Sequence, residues 1–244
     1  MTQPIEIYFW PTPNGHKATI AAEEMGLAYV IKPVDIGRGV QFTPEFEKLS
    51  PNNRMPAILD PDGPGGEPIG IFESGAILQY LGRKSGKFYP SDERARVEVE
   101  KWLFWQVGGL GPMAGQANHF RSYATAVTAD QRHLAYGNNR YTNELDRLYG
   151  VMERGLEGRE YFAGDYSIAD MAIWPWAYYP NSRGIDLDDF PRVKAWAARV
   201  GEREAVKTAM AKGQAARDLA VSLADAGAEA DAQRKILFGQ RARR

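Results

Sequence analysis

The order of the apolar segments in residues 1–86 constrains the fold of this chain more than any other feature. Four segments are short, apolar and bounded by Gly, Pro or Asn, as strands are: residues 5–10, 29–36, 57–59 and 69–72. Between the first two, Ile20, Ala21 and Met25 recur at helical spacing. Another helix opens at Glu73, directly after the fourth segment. The order β-α-β-β-β-α predicts an α/β domain over residues 1–86.

From about residue 91 onward, the apolar residues follow a helical period almost throughout. The clearest stripe consists of Leu134, Tyr141, Leu145, Leu148, Met152 and Leu156. Ser167 precedes an apolar run and is followed three residues later by Asp170, a pattern typical of a helix N-cap. We therefore expect an all-α helical-bundle domain over residues 91–212. Residues 213–244 are Ala-rich and end in cationic side chains, which predicts a helical and basic extension.

The composition excludes several classes of function. The chain contains no cysteine, which excludes a disulfide scaffold, a Cys-ligated metal site and a Cys nucleophile. Its three histidines show no metal-ligand spacing, so we expect no metal. The formal net charge of −1 argues against nucleic acid as a partner. With no apolar run of membrane-spanning length and no signal-peptide pattern, we expect no membrane partner and a cytoplasmic location.

Two loops offer polar groups at the ends of predicted strands. Thr12 and Asn14 follow the first strand, and both side chains can donate a hydrogen bond to an anion. Taken alone, this loop is more typical of a helix cap and a turn. A cis bond between Met55 and Pro56 would leave the main chain of Met55 free to pair with an extended peptide. A trans proline at the start of a strand is the commoner arrangement.

Two further features stay open on the sequence alone. Glu73 and Ser74 begin a helix, whose N-terminus attracts carboxylates, although both residue types also suit the first turn of any helix. The Gly- and Pro-rich residues 108–112 interrupt a helix just after Trp102 and Trp105. Either two helices approach closely there, or a bend opens a pocket lined by the two aromatic side chains.

These features, taken together and in this order, resemble the glutathione transferases. The stretches YFWPTPNGHK, SPNNRMPAILD, FESGAILQYL and KWLFWQVGGLGPMAGQ are similar to the bacterial nu class, and the resemblance covers roughly residues 5–210. It implies a thioredoxin-like, glutathione-binding first domain and an all-helical second domain. It also implies a homodimer, with glutathione as the co-substrate in its reduced or oxidised form.

The resemblance assigns roles to residues of the first domain. Thr12 and Asn14 match the catalytic residues that face the glutathione sulfur, with Tyr8 as a lower-ranked alternative donor. Glutathione itself would be held by Gln41, Arg54, Met55, a cis Pro56, Glu73 and Ser74. Among these, the main chain of Met55 would hold the cysteinyl unit, and Glu73 and Ser74 would hold the γ-glutamyl end.

In the second domain, Arg140 matches a basic residue that reaches a glutathione carboxylate, within or across subunits. Trp102 and Trp105 would line the pocket of the second substrate. The reaction implied is reduction of small disulfides by glutathione, with organic hydroperoxide reduction and weak transferase activity beside it. Conventional conjugation of glutathione to electrophiles and a non-catalytic binding module are the alternatives.

Overall fold

The computed structural model describes residues 3–126, 128–178, 183–222 and 236. Contacts divide the chain into two compact units, one reaching from the N-terminus to Leu81 and resuming at Glu204, the other spanning Gly82–Arg203. The division differs from the expected domains 1–86, 91–212 and 213–244 in its treatment of the C-terminal helix. The expected boundaries themselves stay a prediction.

The first unit is built on a four-stranded mixed sheet with the order β2-β1-β3-β4. Its strands are β1 (Ile5–Phe9), β2 (Tyr29–Pro33), β3 (Ala57–Asp60) and β4 (Ile69–Phe72). Strand β1 runs parallel to β2 and antiparallel to β3, and β3 runs antiparallel to β4. Ile5, Ile7 and Phe9 alternate as the buried residues of β1. The sheet confirms the expected thioredoxin-like architecture.

Helices α1 (Pro13–Met25), α2 (Pro44–Leu49) and α3 (Ser74–Ser85) follow strands of this sheet. Strand β2 ends at Pro33, three residues before the predicted end. The segment predicted as a polar loop contains α2, which is capped by the Thr43 hydroxyl and buries Phe46. The helix was missed because six residues are too few to show a period.

The C-terminal helix, which we name α9 (Glu204–Ser222), packs along α1. Gly213 makes the approach possible, since a Cβ atom there would lie 2.7 Å from Phe9 Cζ and 2.8 Å from His16 Cε1. At the other end of the contact, Lys212 Nζ lies 2.5 Å from Glu23 Oε1. Residue 213, the expected start of an extension, therefore lies within a helix that belongs to the first unit.

Helices joined by loops and two isolated β-bridges, Tyr161 with Gly164 and Ala163 with Asp165, make up the described part of the second unit, which confirms the all-α prediction. Its helices are α4 (Glu93–Trp105), α5 (Gly111–Asn118), α6 (Gln131–Gly155), α7 (Ile168–Ala177) and α8 (Pro191–Gly201). A π-helical turn over Gln106–Leu110 joins α4 to α5, so the Gly- and Pro-rich segment widens the helix and does not break it. None of the described helices has the length and apolar character needed to span a bilayer.

Asp170 organises the centre of the second unit. It forms the predicted capping box with Ser167 at the start of α7. Its carboxylate accepts hydrogen bonds from Trp196 Nε1 at 2.9 Å, from Ser167 N at 3.0 Å and from Phe162 N at 3.3 Å. Burial raises the pKa of Asp170 to about 6, against the lowering effect of these donors. One side chain thus ties the start of α7 to α8 and to the preceding loop.

We expect Asp170→Asn to lower the free energy of unfolding by about 2–3 kcal/mol, because an amide N–H would face buried donors that need an acceptor. The measurement is urea unfolding followed by circular dichroism. Asp189→Asn, at an exposed position, is the matched control and should unfold like the wild type. Equal midpoints for the two variants would contradict the role assigned to Asp170.

A second prediction concerns His16, which is 7% exposed between Phe9 and α9. Burial lowers its pKa from 6.5 to about 4, so between these values the unfolded chain binds the extra proton. We expect this residue to reduce the free energy of unfolding by about 1.4 kcal/mol for each pH unit of acidification in that window. Above pH 6.5 it should have no effect.

The check is the pH dependence of thermal unfolding in wild type and His16→Gln. The variant should show a shallower loss of stability between pH 6.5 and 5. His133→Gln serves as the control, since the His133 side chain is 77% exposed, and it should follow the wild type. Parallel curves for wild type and His16→Gln would refute the prediction.

Candidate functional site

The turn between β1 and α1 fixes the position of Thr12. Thr12 is the N-cap of α1, and its hydroxyl oxygen accepts a hydrogen bond from Gly15 N at 3.2 Å. Pro13 is the first residue of the helix, where a missing N–H costs nothing. Gly15 is required by a close approach, because a Cβ atom there would lie 2.1 Å from the Trp10 carbonyl oxygen. Asn14 lies half-buried in the same turn.

The side chain of Met55, which precedes β3, contacts this turn. The peptide bond between Met55 and Pro56 is cis, as the family resemblance implies. The Met55 sulfur accepts a hydrogen bond from Trp10 N at 3.1 Å and lies 3.8 Å from the Thr12 hydroxyl oxygen. A thioether is a weak acceptor, so the hydroxyl proton of Thr12 is readily given to a stronger one. The structure therefore brings together Thr12 and Met55, which are 43 residues apart in sequence.

Glu73 and Ser74 form a second cluster at the start of α3. Glu73 has φ 69°, the left-handed conformation that costs a non-glycine residue about 1–2 kcal/mol and is often found at binding sites. Its carboxylate is exposed and lies 3.5 Å from Asn52 Nδ2, while its carbonyl accepts from Ile77 N at 2.9 Å. An acidic side chain is thus held beside the N-terminus of a helix, next to the Ser74 hydroxyl.

Lys17 is a residue of this region that the sequence analysis did not select. It lies in α1 with 1% of its surface exposed, and its Nζ donates to Ser74 Oγ at 3.2 Å. Burial lowers the pKa of Lys17 to about 7, opposed by the attraction of Glu73. The sequence feature that could have indicated Lys17 is the run HKATIAA, in which a cationic residue is followed by small and apolar residues of one helix.

Gln41 and Arg54 lie in the loops that precede and follow α2, and their side chains differ in burial. Gln41 is 2% exposed, and its amide nitrogen donates to the Ile36 carbonyl at 3.1 Å. The Gln41 carbonyl accepts from Asn53 Nδ2 at 3.0 Å, which links two loops. Arg54 is exposed, and its carbonyl accepts from the Ser50 hydroxyl at 2.9 Å. Gln41 therefore supports the loops, and the Arg54 side chain is open to solvent.

Tyr8, the alternative donor, is engaged elsewhere. Its hydroxyl donates to Glu6 Oε2 at 3.1 Å. Burial raises the pKa of Tyr8, and the hydrogen bond and charge of Glu6 raise it further. A phenol with an anion already at its proton is poorly suited to stabilise a second anion. This geometry disfavours Tyr8 as the donor to a thiolate.

Trp102 and Trp105 lie in the second unit, on α4. Their rings pack edge to face with centroids 5.3 Å apart, and Trp102 also packs on Phe162 at 4.7 Å. Gly155 lets Trp102 lie against α6, since a Cβ atom there would be 2.4 Å from the indole ring. Both tryptophans line a cavity of about 510 Å³, together with charged side chains that include Lys101 and Arg154.

Arg140 is exposed on α6. Like the cavity, it belongs to the second unit. Among the described residues, no group of three or more His, Cys, Asp or Glu side chains is arranged to hold a metal ion.

Comparison with known proteins identifies the family of both units. Residues 12–84 match the glutathione S-transferase N-terminal domain model, and residues 139–204 match the corresponding C-terminal domain model. The chain is 47% identical over 212 residues to the disulfide-bond oxidoreductase YfcG of Escherichia coli (strain K12), covering 86% of this chain and 96% of that protein. It is 39% identical over 218 residues to the disulfide-bond oxidoreductase YghU of the same organism, covering 84% and 73% of the two chains.

A solved structure agrees with these relatives. The crystal structure of a glutathione transferase from Pseudomonas putida, with one glutathione disulfide bound per subunit, matches with a TM-score of 0.79 and 45% identity. The match covers 85% of this chain and 90% of that one. With both domain models matched in order and a relative 47% identical across nearly its whole length, the chain belongs to the glutathione S-transferase family.

Proposed function

We propose that this protein is a glutathione-dependent reductase of small disulfides in which Thr12 and Asn14 stabilise the glutathione thiolate. The observation that carries the proposal is the Thr12 hydroxyl, whose proton faces the weak acceptor sulfur of Met55 at 3.8 Å. A thiolate placed at this turn offers a far better acceptor. The names of YfcG and YghU as disulfide-bond oxidoreductases support the same reaction.

The reaction needs no thiol from the protein, which fits a chain without cysteine. The thiolate of one glutathione attacks a sulfur of the disulfide, forming a mixed disulfide and releasing one substrate thiolate, which takes up a proton. A second glutathione thiolate then attacks the glutathione sulfur of the mixed disulfide. Glutathione disulfide forms, and the second substrate thiol leaves. The protein contributes orientation and electrostatic stabilisation.

The remaining residues hold the tripeptide. The N–H and C=O of Met55, beside the cis bond to Pro56, pair with the cysteinyl unit as an added strand would. Glu73 pairs with the γ-glutamyl ammonium, and Ser74 donates to its carboxylate. Arg54 supplies a solvent-facing positive charge, and the main-chain oxygen of Gln41 holds the loop that carries Asn53.

For the second unit, we propose that Arg140 reaches a glutathione carboxylate and that the protein works as a homodimer in the cytoplasm. Organic hydroperoxides would be reduced by the same thiolate, and weak transferase activity would accompany both reactions. Conjugation of glutathione to an electrophile is the alternative reaction, but the cavity at Trp102 and Trp105 does not favour an apolar substrate, because five of its nine lining residues are charged. Membership in the nu class is part of this proposal.

The test must separate the two roles of Thr12, because its hydroxyl also caps α1. Thr12→Ser keeps both the cap and the donor, whereas Thr12→Asp keeps the cap and places a negative charge where the thiolate would lie. We expect Thr12→Ser to retain activity with a small disulfide. We expect Thr12→Asp and Thr12→Ala to lose about 100-fold in kcat/KM, the typical effect of removing one donor to a reacting anion.

The pH profile of kcat/KM supplies a second readout for Thr12→Ala and Asn14→Ala. Loss of a donor should raise the apparent pKa of the bound thiol by about one unit, which equals roughly 1.4 kcal/mol of thiolate stabilisation. Full activity in Thr12→Asp and in Asn14→Ala would move the catalytic donor elsewhere. Turnover of a chlorinated aromatic without disulfide reduction would favour conjugation, and glutathione binding without turnover would favour a binding module.

A further inference from the structure

Lys17 is a buried ionisable group that the proposed reaction leaves without a role. Its ammonium lies in the interior of the first unit with 1% exposure. Burying a cation is unfavourable unless hydrogen bonds and opposite charge compensate. The compensation that the structure describes includes the Ser74 hydroxyl oxygen, 3.2 Å from Nζ, and the attraction of Glu73. Both partners belong to the cluster at the start of α3.

We propose that Lys17 is a positioning residue for the γ-glutamyl carboxylate of glutathione, acting through the Ser74 hydroxyl, given the glutathione site proposed above. A serine hydroxyl has one proton and two lone pairs. Because the Lys17 ammonium fills a lone pair from the protein interior, the O–H is free to turn outward as a donor. A hydrogen bond accepted from a cation also polarises the O–H and strengthens that donation.

The geometry connects this cluster to the catalytic turn. Lys17 follows Thr12 by five residues, so the two lie about 7.5 Å apart along the axis of α1. The same helix thus carries Thr12 at its N-terminus and Lys17, which contacts Ser74, in its second turn. A tripeptide with its sulfur at Thr12 and its γ-glutamyl end at Ser74 would be held at two points by one rigid element.

The charge on Lys17 is then sensitive to the ligand. Burial lowers the pKa of Lys17 to about 7, Glu73 acts in the opposite direction, and the adjacent His16 is kept neutral by its own burial. An arriving carboxylate favours the ammonium and raises this pKa. At pH values below about 7, Lys17 is charged before the ligand binds. Above that value binding must take up a proton, so affinity falls as the pH rises.

The test is titration calorimetry with S-methylglutathione, which has no thiol whose ionisation could mask the effect. Wild-type affinity should fall severalfold between about pH 6 and pH 8, at most about tenfold per unit. Lys17→Met should bind about tenfold more weakly at the lower pH and show a flat profile, since methionine cannot titrate. Lys32→Met, at a side chain 47% exposed in a surface ion pair with Glu6, is the matched control and should follow the wild type.

Ser74→Ala removes the acceptor of the same hydrogen bond. The affinity of this variant for S-methylglutathione should therefore lose the same pH dependence. The double variant Lys17→Met/Ser74→Ala should bind no more weakly than the weaker single variant, because the two residues act as one unit. Thermal melts establish that each variant is folded, and Ser74→Ala provides the test if Lys17→Met does not fold.

Three results would overturn the inference. Equal affinity and equal pH profiles in wild type and Lys17→Met would remove any role for Lys17 while leaving the proposed function intact. Strictly additive losses in the double variant would show that Lys17 does not act through Ser74. Failure of wild type to bind S-methylglutathione at all would overturn the proposed function and this inference together.

Discussion

The close contact at the start of α1 is the constraint on which the rest of the first unit depends. The chain leaves β1 at Trp10, turns at Thr12 and enters the helix within a space that admits no side chain at position 15. Because of this sharp turn, the Trp10 N–H lies outside the helix. It donates a hydrogen bond to the sulfur of Met55. Strand β3 and the helix are thereby anchored to the same turn. Thr12 and Met55, two of the residues proposed to meet glutathione, are placed by that anchor.

In the second unit, main-chain N–H groups and an indole N–H that are buried in the interior share one acceptor. One carboxylate, that of Asp170, accepts hydrogen bonds from the main chain and from the Trp196 indole. The cost of desolvating a charge is offset by several donors held in place. In the first unit, Lys17 is a buried cation, and the partners described above, Ser74 and Glu73, lie at the proposed site. We infer that Asp170 serves stability and that Lys17 serves the ligand.

Sequence alone predicted what depends on local pattern. The four strands and the capping box of Ser167 and Asp170 are marked by neighbours within a few positions. The roles of Thr12, Met55 and Ser74 follow from the family resemblance and stay a prediction. What it could not predict depends on contacts between distant segments. The burial of Lys17 follows from packing against α3, and the hydrogen bond from Asn53 to the main-chain oxygen of Gln41 joins loops 12 residues apart. The short helix α2 has too few residues to reveal its period.

The packing of α9 on α1 has a consequence for the order in which the protein is made. The first unit is closed by a helix that follows all of the second unit in the chain, and Gly213 covers Phe9 and His16 only when that helix is present. A ribosome therefore releases the residues of the sheet and of α1 long before their covering helix exists. Until α9 has been synthesised, the face of α1 that it covers stays exposed to solvent or is shielded by a chaperone. The first unit is thus completed only after the second unit has been synthesised.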